Sequence, residues 1–533
     1  MEYATIEHAV RAAWQDTLQT EVGPADNFFQ LGGDSLGALR TLTRLKRDLA
    51  WRVPLKTLFQ NPRFEDFVQA LADEHAPVPV DDDSAGRVVP QPSILQIERL
   101  RYYDERGATQ EGMTTTVRLR GPLRPELLRQ ALLTVTGRHD GLRMLFRTSA
   151  SPRQFTGSPD ERAVVTVSLA EPEQALSFEV ASLIGADQSE VDARIDAHAG
   201  TPHDLVGGPR LRALLLELDA EDWLFVLTVD HMVYDLESHA VFLQEVAEVH
   251  DAATAGIAPR LPPAPSYAEW VDRQWAFLDG PEGRRRLKVW ADRYARDGVF
   301  PPAALPALGG EHGGRAAPAH VVIRELPGEW LTTLLRKTSE HHTTAFNVLL
   351  AAYTAARARL TGESRLGTVV ALADRDDPST ERLVGLLAPA IPIWADLDDA
   401  TSFPEVVRRV TAATVAAIDD SLPMLTGAHA LLSGMFGQPP PERVRELSGL
   451  WGTATFELRI DGPDPAPLLT LSGIESSPYD RGIQPFEMVM GGVMLYANLS
   501  PERNLVALMY PEGGYDEKIM TELIDDVIRT VEE

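Results

Sequence analysis

The chain contains no cysteine. That excludes a disulfide framework, a zinc–thiolate site and a cysteine nucleophile, so any thiol chemistry must come from a cofactor or a partner. Positive charge is scarce. Fifty Lys and Arg face 78 Asp and Glu, a formal net charge of −28. This excess of acid argues against nucleic acid or an anionic membrane as partner. No apolar run approaches the roughly 18 residues needed to span a bilayer. The opening Met-Glu-Tyr-Ala-Thr-Ile-Glu-His has neither a basic nor an apolar targeting segment. A soluble, cytoplasmic protein without a signal peptide is expected.

Of the 533 residues, 44% are hydrophobic, and this length predicts about three or four compact units. Ile6, Val10, Ala13, Trp14 and Leu18 recur at helical spacing. After Gly23-Pro24 comes the stretch at 26–36, Asp-Asn-Phe-Phe-Gln-Leu-Gly-Gly-Asp-Ser-Leu. Phe28 and Phe29 anchor a loop, and Gly32-Gly33 permit a tight turn. Leucines at 36, 39, 42, 45 and 49 then trace one buried helical stripe. Ser35 thus sits exposed at a helix start, either as a plain cap or where free N–H groups favour a phosphate. Leu55, Leu58 and Phe59, then Phe64, Phe67, Val68 and Leu71, complete a four-helix unit of about 75 residues, large enough to fold alone. Residues 77–92, with four prolines and a run of three acids, read as a semi-extended linker.

From Ser93 onward strands and helices alternate. The apolar runs 211–218 and 223–229 flank the acidic turn Asp219-Ala220-Glu221-Asp222, which predicts a hairpin. A helix is expected over 240–249 with Ser238 as its N-cap, and another over 345–360 ending at Gly362. Runs 367–373 and 390–395 suit buried strands. The glycine-rich 309–314 lacks a surrounding strand–helix pattern and is expected to be a loop, not a phosphate cradle. His341-His342, at the head of the long helix, diverge by about 100° and suit exposure better than a shared metal. His139 suits a packed structural position. No metal-ligand cluster stands out.

Two resemblances give these units a meaning. The Ser35 stretch resembles the attachment motif of peptidyl carrier proteins in nonribosomal peptide synthetases. The resemblance implies that Ser35 carries 4′-phosphopantetheine, whose thiol holds an aminoacyl or peptidyl thioester. Nearly all of 93–533 resembles the condensation-domain superfamily of the same synthetases. Arg138-His139-Asp140-Gly141-Leu142-Arg143 matches its second core motif, and Ser266-Tyr267-Ala268-Glu269-Trp270 its fourth. Pro202-His203-Asp204-Leu205 with Gly208-Pro209-Arg210-Leu211-Arg212 resembles the segment before the catalytic hairpin. Val384-Gly385-Leu386-Leu387-Ala388-Pro389 follows the fifth loosely, and the first (Ser93, Gln96) and sixth (Asp419) are degraded.

The family's centre is His-His-x-x-x-Asp-Gly. Here it reads Asp230-His231-Met232-Val233-Tyr234-Asp235-Leu236. The second His, which the family uses in catalysis, is kept as His231. Histidine suits proton handling during attack of an amine on a thioester, because its ordinary pKa lies near working pH. Successive strand residues face opposite ways. With His231 towards a passage, Asp230 points into the lobe, where a buried carboxylate needs a partner. The resemblance further implies that Asp235 is structural and pairs with Arg375.

The expected organisation is a carrier at 1–76, the linker at 77–92 and a condensation-type domain at 93–533. The implied fold is multidomain: a four-helix carrier bundle plus two α/β lobes of the chloramphenicol acetyltransferase type, about 93–270 and 271–533. The implied function is transfer of the tethered acyl group to an acceptor amine, forming a peptide bond. Implied partners are a phosphopantetheinyl transferase, an upstream adenylation domain or module, and a downstream acceptor carrier or free amine. Asp230-x4-Asp235-x2-Ser238 also resembles the heterocyclisation signature. The altered core motif leaves open a catalytically inactive, recruiting domain, with epimerisation a minor option.

Overall fold

Helix α1 (Tyr3–Leu18) buries Ile6, Val10, Ala13 and Trp14 along one stripe, as its sequence spacing requires. Trp14 meets Phe28 and Phe64 edge-on, with centroids 5.1 and 5.4 Å apart. Phe64 opens α2 (Phe64–Asp73), which adds Phe67, Val68 and Leu71 to this first core. The computed structural model describes residues 3–18, 20–31, 33, 38, 41–42, 44–45, 49, 53, 57–58, 61–73, 89–97, 99–100, 112–149, 164–297, 305, 317–371, 375, 378–388, 390–400, 402–420, 454–460, 468–479, 481, 487–488, 492–501 and 503–533. Ser35, most of the expected linker, the 309–314 loop and Pro389 lie outside them.

The first lobe is built on a sheet that includes β1 (Gly112–Arg120), β2 (Leu176–Ser182), β3 (Leu211–Asp219) and β4 (Asp222–Asp230). Between these lie α3 (Pro125–Arg138) and α4 (Gln188–Ala199); α5 (Leu236–Ala255) and α6 (Tyr267–Asp279) follow. The expected hairpin is β3–β4, turning at Glu221 with φ 61°. Alternation sorts its two faces. Leu211, Ala213, Leu215, Phe225, Leu227 and Val229 join the main core with residues of α3, α5 and α6. Leu214, Leu216, Leu224 and Val226 pack instead on Val191 and Ile195 of α4. Both faces are covered, so both strands read as nearly continuous apolar runs.

The second lobe comprises β5 (Ala317–Leu326), α7 (Gly328–Glu340), α8 (Ala345–Thr361), β6 (Arg365–Ala371), β7 (Ala390–Asp396), α9 (Phe403–Asp419), β8 (Ala454–Ile460), β9 (Glu475–Pro478), β10 (Glu487–Met488), β11 (Val493–Leu499), β12 (Asn504–Pro511) and α10 (Glu517–Glu532). Seven of these strands form one sheet in the order β10-β5-β12-β11-β8-β6-β7, with α7, α8, α9 and α10 sharing its apolar core. The eighth, β9, crosses over. It pairs antiparallel with β1, giving the first sheet the order β9-β1-β4-β3-β2. Leu383, Val384, Leu387, Leu469 and Leu471 also lie in the first lobe's core. A cut at 270 therefore does not separate the lobes, because the later half of the chain supplies an edge strand and core residues to the earlier half. Ile418, at the end of α9, packs against the core of the N-terminal helical unit.

Three local expectations are corrected. Helix α5 starts at Leu236, and its N-cap is Asp235, which accepts from Ser238 N–H; Ser238 lies inside the helix. Carboxylates cap as well as hydroxyls do. His341-His342 do not head the long helix: His341 caps the end of α7 and His342 takes φ 49° in the turn before Thr344, the cap of α8. The expected exposure holds for His342, whereas His341 is half-buried. Strand β6 starts at Arg365, two residues before the predicted start at 367, while 372–373 lie outside the described residues.

Candidate active site

Strand β4 ends at Asp230, and the chain turns through His231-Met232-Val233 before α5 begins. Val233 N–H donates to Asp230 O at 3.0 Å, closing the turn. His231 is half-buried and its Nδ1 lies 2.7 Å from Tyr234 O. A carbonyl only accepts, so the neutral ring carries its proton on Nδ1 and keeps Nε2 as a bare lone pair. Burial of the ring, helped by the Arg99 charge, pushes the imidazole down to about 3. The expectation of a histidine titrating near neutrality is thereby corrected: the ring is neutral at working pH, because its surroundings disfavour a cation.

Asp230 points the other way, onto the α4 side of the sheet. Its Oδ1 accepts Met232 N–H at 3.0 Å, and its Oδ2 takes a short ionic hydrogen bond from Arg210 Nη1, both side chains being fully buried. His203 and Arg212 complete that pocket, with Arg212 Nη1 3.0 Å from His203 Nδ1. Burial lowers His203 to about 4 despite the neighbouring Asp230.

Asp235 is the busiest carboxylate at the lobe junction. Oδ1 accepts Ser238 N–H at 2.8 Å and Arg375 Nη2 at 2.8 Å, and Oδ2 accepts Leu387 N–H at 3.0 Å. Arg375 Nη1 also donates to Thr380 O at 2.7 Å and Leu383 O at 2.5 Å. Ser238 Oγ accepts Gly385 N–H at 3.0 Å. The segment 375–387 of the second lobe is thus tied to the head of α5, four residues beyond His231. Tyr267 completes the joint from below: its hydroxyl donates to Leu386 O at 2.9 Å. A Cβ at Gly385 would fall 2.1 Å from the Tyr267 ring, so glycine is required for this approach.

Two supports were not assigned this role from sequence. Ser93 and Gln96 form a reciprocal capping box, with Ser93 N–H donating to Gln96 Oε1 at 2.9 Å and Gln96 N–H to Ser93 Oγ at 3.2 Å. Gln96 Nε2 then donates to Met232 O at 3.0 Å, bracing the His231 turn. The Ser-x-x-Gln spacing signals the box; nothing in sequence signals the reach to residue 232. The second is Glu245. It takes Arg138 at 3.0 Å, His139 at 3.0 Å and Arg382 at 2.9 Å. Burial alone would raise its carboxyl, but His139 and the arginines hold it at about 2. This places His139 in a packed, hydrogen-bonded position. Asp419 ends α9, remote in sequence from this turn.

At the N-terminal loop, Asn27 Oδ1 accepts Phe29 N–H at 3.0 Å, and Gly33 N–H donates to Phe28 O at 3.0 Å. A Cβ on Gly33 would lie 2.3 Å from the Phe28 ring. The loop is thus pinned at Gly33, just before Asp34-Ser35 of the attachment motif, which lie outside the described residues. Among the described residues, no helix is long and apolar enough to cross a membrane.

Comparison with known proteins matches these two regions separately. Residues 8–71 match the family model for the phosphopantetheine attachment site, and residues 105–423 that of the condensation domain. Cyclosporin synthetase simA of Tolypocladium inflatum is 30% identical over 430 residues, covering 78% of this chain and 3% of that protein. Nonribosomal peptide synthetase kk1B of Curvularia clavata is 29% identical over 79% of this chain and 3% of its own length. Phosphinothricin tripeptide synthetase PhsB of Streptomyces viridochromogenes is 30% identical over 76% of this chain and 34% of that protein. The chain therefore spans only a small part of the first two relatives. Among solved structures, SgcC5 of Streptomyces globisporus aligns with TM-score 0.65 at 20% identity, covering 83% of this chain and 98% of that one. The X-domain in complex with OxyB from teicoplanin biosynthesis aligns at 0.66 and 20% identity, covering 86% and 95%. The match to the phosphopantetheine model indicates a covalently attached 4′-phosphopantetheine. With the condensation model covering more than half of its length, the chain belongs to the condensation-domain family, joined in one polypeptide to a carrier domain.

Proposed function

We propose that this chain moves an aminoacyl or peptidyl group from a thioester on its own carrier to an acceptor amine, forming an amide. Ser35 is the attachment residue, and the bound phosphopantetheine supplies the thiol that holds the acyl group. His231 is the catalytic residue. The observation that carries this reading is the 2.7 Å bond from His231 Nδ1 to Tyr234 O. It fixes the ring and aims an unprotonated Nε2 at the acceptor. A ring held near pKa 3 is a weak base. Its contribution is to accept a hydrogen bond from the attacking N–H and hold the amine in line, more than to remove a proton outright. As nitrogen bonds to the carbonyl carbon, the carbon–sulfur bond breaks, and the amine proton ends on the departing thiolate or solvent.

Asp230, Asp235 and Arg375 support this turn and do not touch substrate. Asp230 and Asp235 are 0% and 2% exposed, and both are engaged by arginines. That occupancy leaves neither carboxylate free to act on an acceptor, and the reaction is read from His231. The partners fitting this chemistry are a phosphopantetheinyl transferase, an adenylation domain that loads the carrier, and an acceptor carrier or free amine.

The test is the loaded chain with a panel of amines and aminoacyl thioesters, read by intact mass. His231→Ala should lower product formation at least a hundredfold, and a transferase should add one pantetheinyl group at Ser35 but none to Ser35→Ala. The likeness to the X-domain gives the contrary outcome its meaning. Full product formation by His231→Ala, or no product with any acceptor alongside tight binding of an oxidase, would replace catalysis with recruitment.

A further inference from the structure

The turn that presents His231 has a support that belongs to no part of the chemistry above. Asp230 uses its two oxygens for different tasks. Oδ1 holds Met232 N–H at 3.0 Å, an Asx turn spanning His231. Oδ2 is held by Arg210 Nη1. Arg210 lies on the neighbouring strand approach, where its own carbonyl accepts Asp230 N–H at 2.9 Å. Backbone and side chain of one residue thus grip both ends of Asp230.

In hydrogen bonding the pairing is exclusive among the described residues, although the Asp204 charge also acts on Arg210. Arg210 is 0% exposed, and its Nε and Nη2 meet no acceptor among the described residues, so Asp230 is its ionic hydrogen-bond partner. Arg212, another cation that acts on Asp230, has both terminal nitrogens committed elsewhere, Nη1 lying 3.0 Å from His203 Nδ1. Its Nη2 already serves the carbonyls of Thr201 at 2.6 Å and His198 at 3.3 Å. Without Arg210, a carboxylate sealed from water would have to bind a proton or turn towards another donor. Protonation would leave Met232 N–H a neutral, weaker acceptor, and turning would take that acceptor away.

We propose that Arg210 is a positioning residue, clamping Asp230 so that its free oxygen fixes the turn that presents His231. The proposal rests on the reading of His231 as the group that orients the acceptor amine. The rival account is a pair that merely stabilises the lobe.

The two accounts separate in the imidazole itself. The full-length holo chain is labelled with 13C,15N-histidine, and the His231 ring signals are assigned with His231→Gln. Arg210→Met/Asp230→Leu removes both charges, so neither is left buried alone. It should keep the wild-type urea midpoint within experimental spread. Its His231 signals should show a mixture of tautomers and titrate more than one pH unit higher than in the unaltered chain, as the turn loosens and water reaches the ring. Arg210→Met/Asp230→Asn, which keeps the acceptor, should recover most of the wild-type ring signal. With whichever donor and amine give product in the unaltered chain, the charge-free pair should lose at least tenfold in kcat with KM within about twofold. Arg210→Lys, which keeps a cation without the planar fork, should shift the ring in the same direction by less, and decides the matter if the charge-free pair does not fold. Unchanged His231 ring signals in the folded variants overturn the proposal. The two readings fail separately: product formation by His231→Gln sinks the catalytic role and leaves the ring signals to judge Arg210.

Discussion

The two lobes carry similar numbers of apolar core residues but bury their polar groups for different ends. In the first lobe, the carboxylates Asp230, Asp235 and Glu245 are each nearly inaccessible and each is matched to arginine. In the second, Arg357 on α8 is fully buried and makes no ion pair among the described residues. It donates to Thr368 Oγ1 and Gly367 O, both at 2.7 Å, and lies over the Tyr353 ring at 5.0 Å. Neutral acceptors and a ring face can hold a guanidinium, and they leave no second charge to strand. A buried ion pair adds little net stability but fixes geometry strictly, since losing either partner is costly. The lobe with the buried carboxylate–arginine pairs is also the one that carries the histidine turn. The other serves as an apolar frame whose segment 375–387 reaches across to brace that turn.

That contrast can be broken at its strongest point with Arg375→Ala. It leaves Asp235 uncompensated at the lobe junction and should cost about 3–5 kcal/mol, seen as a lower urea midpoint for the first lobe and loss of product. Unchanged stability and activity would remove the pair from the account. Acid should sharpen the same difference. His231, His203 and His239 are held down to about 3, 4 and 4, chiefly by burial. In the unfolded chain they bind protons near 6.5, so between those values the unfolded state holds more protons. Their stabilisation is present above about pH 6.5 and fades as pH falls towards 4, at up to about 1.4 kcal/mol per ring per unit. Hydrogen exchange corrected for its intrinsic pH dependence should show the first lobe loosening between pH 7 and 5, while the α8 core of the second lobe hardly responds. Equal loosening of both lobes would erase the distinction. The smallest expected effect is Arg357→Met. With no carboxylate left behind, it should cost only about 1–2 kcal/mol, mostly for two acceptors losing their donor, in a thermal melt of the second lobe.

Much of this molecule was readable in advance. The β3–β4 hairpin, α8 and the aromatic anchors of the N-terminal unit, Trp14, Phe28, Phe29, Phe64 and Phe67, follow from local periodicity and turn chemistry. The need of Asp230 for a partner also followed, from alternation along a strand. Its identity did not. Arg210, immediately before β3, and Arg212 within it are two positions apart and equally eligible by alternation, and only the packing of α4 and its following loop shows that Arg212 is already engaged by carbonyls. The N-cap of α5 was misassigned between Asp235 and Ser238 because both residue types cap well and are three positions apart. The crossing of β9 onto β1 was invisible, since a four-residue polar strand has no periodicity of its own.

By itself, the order of residues determined which segments bury an apolar face, where the chain turns, and that one imidazole stands at the end of a strand. Those are local matters, decided within a few bonds. Tertiary structure alone decided that this imidazole is neutral and which arginine answers each carboxylate. Protonation and pairing depend on what solvent is excluded and which charges are brought near, and residues 20 to 140 positions apart set both.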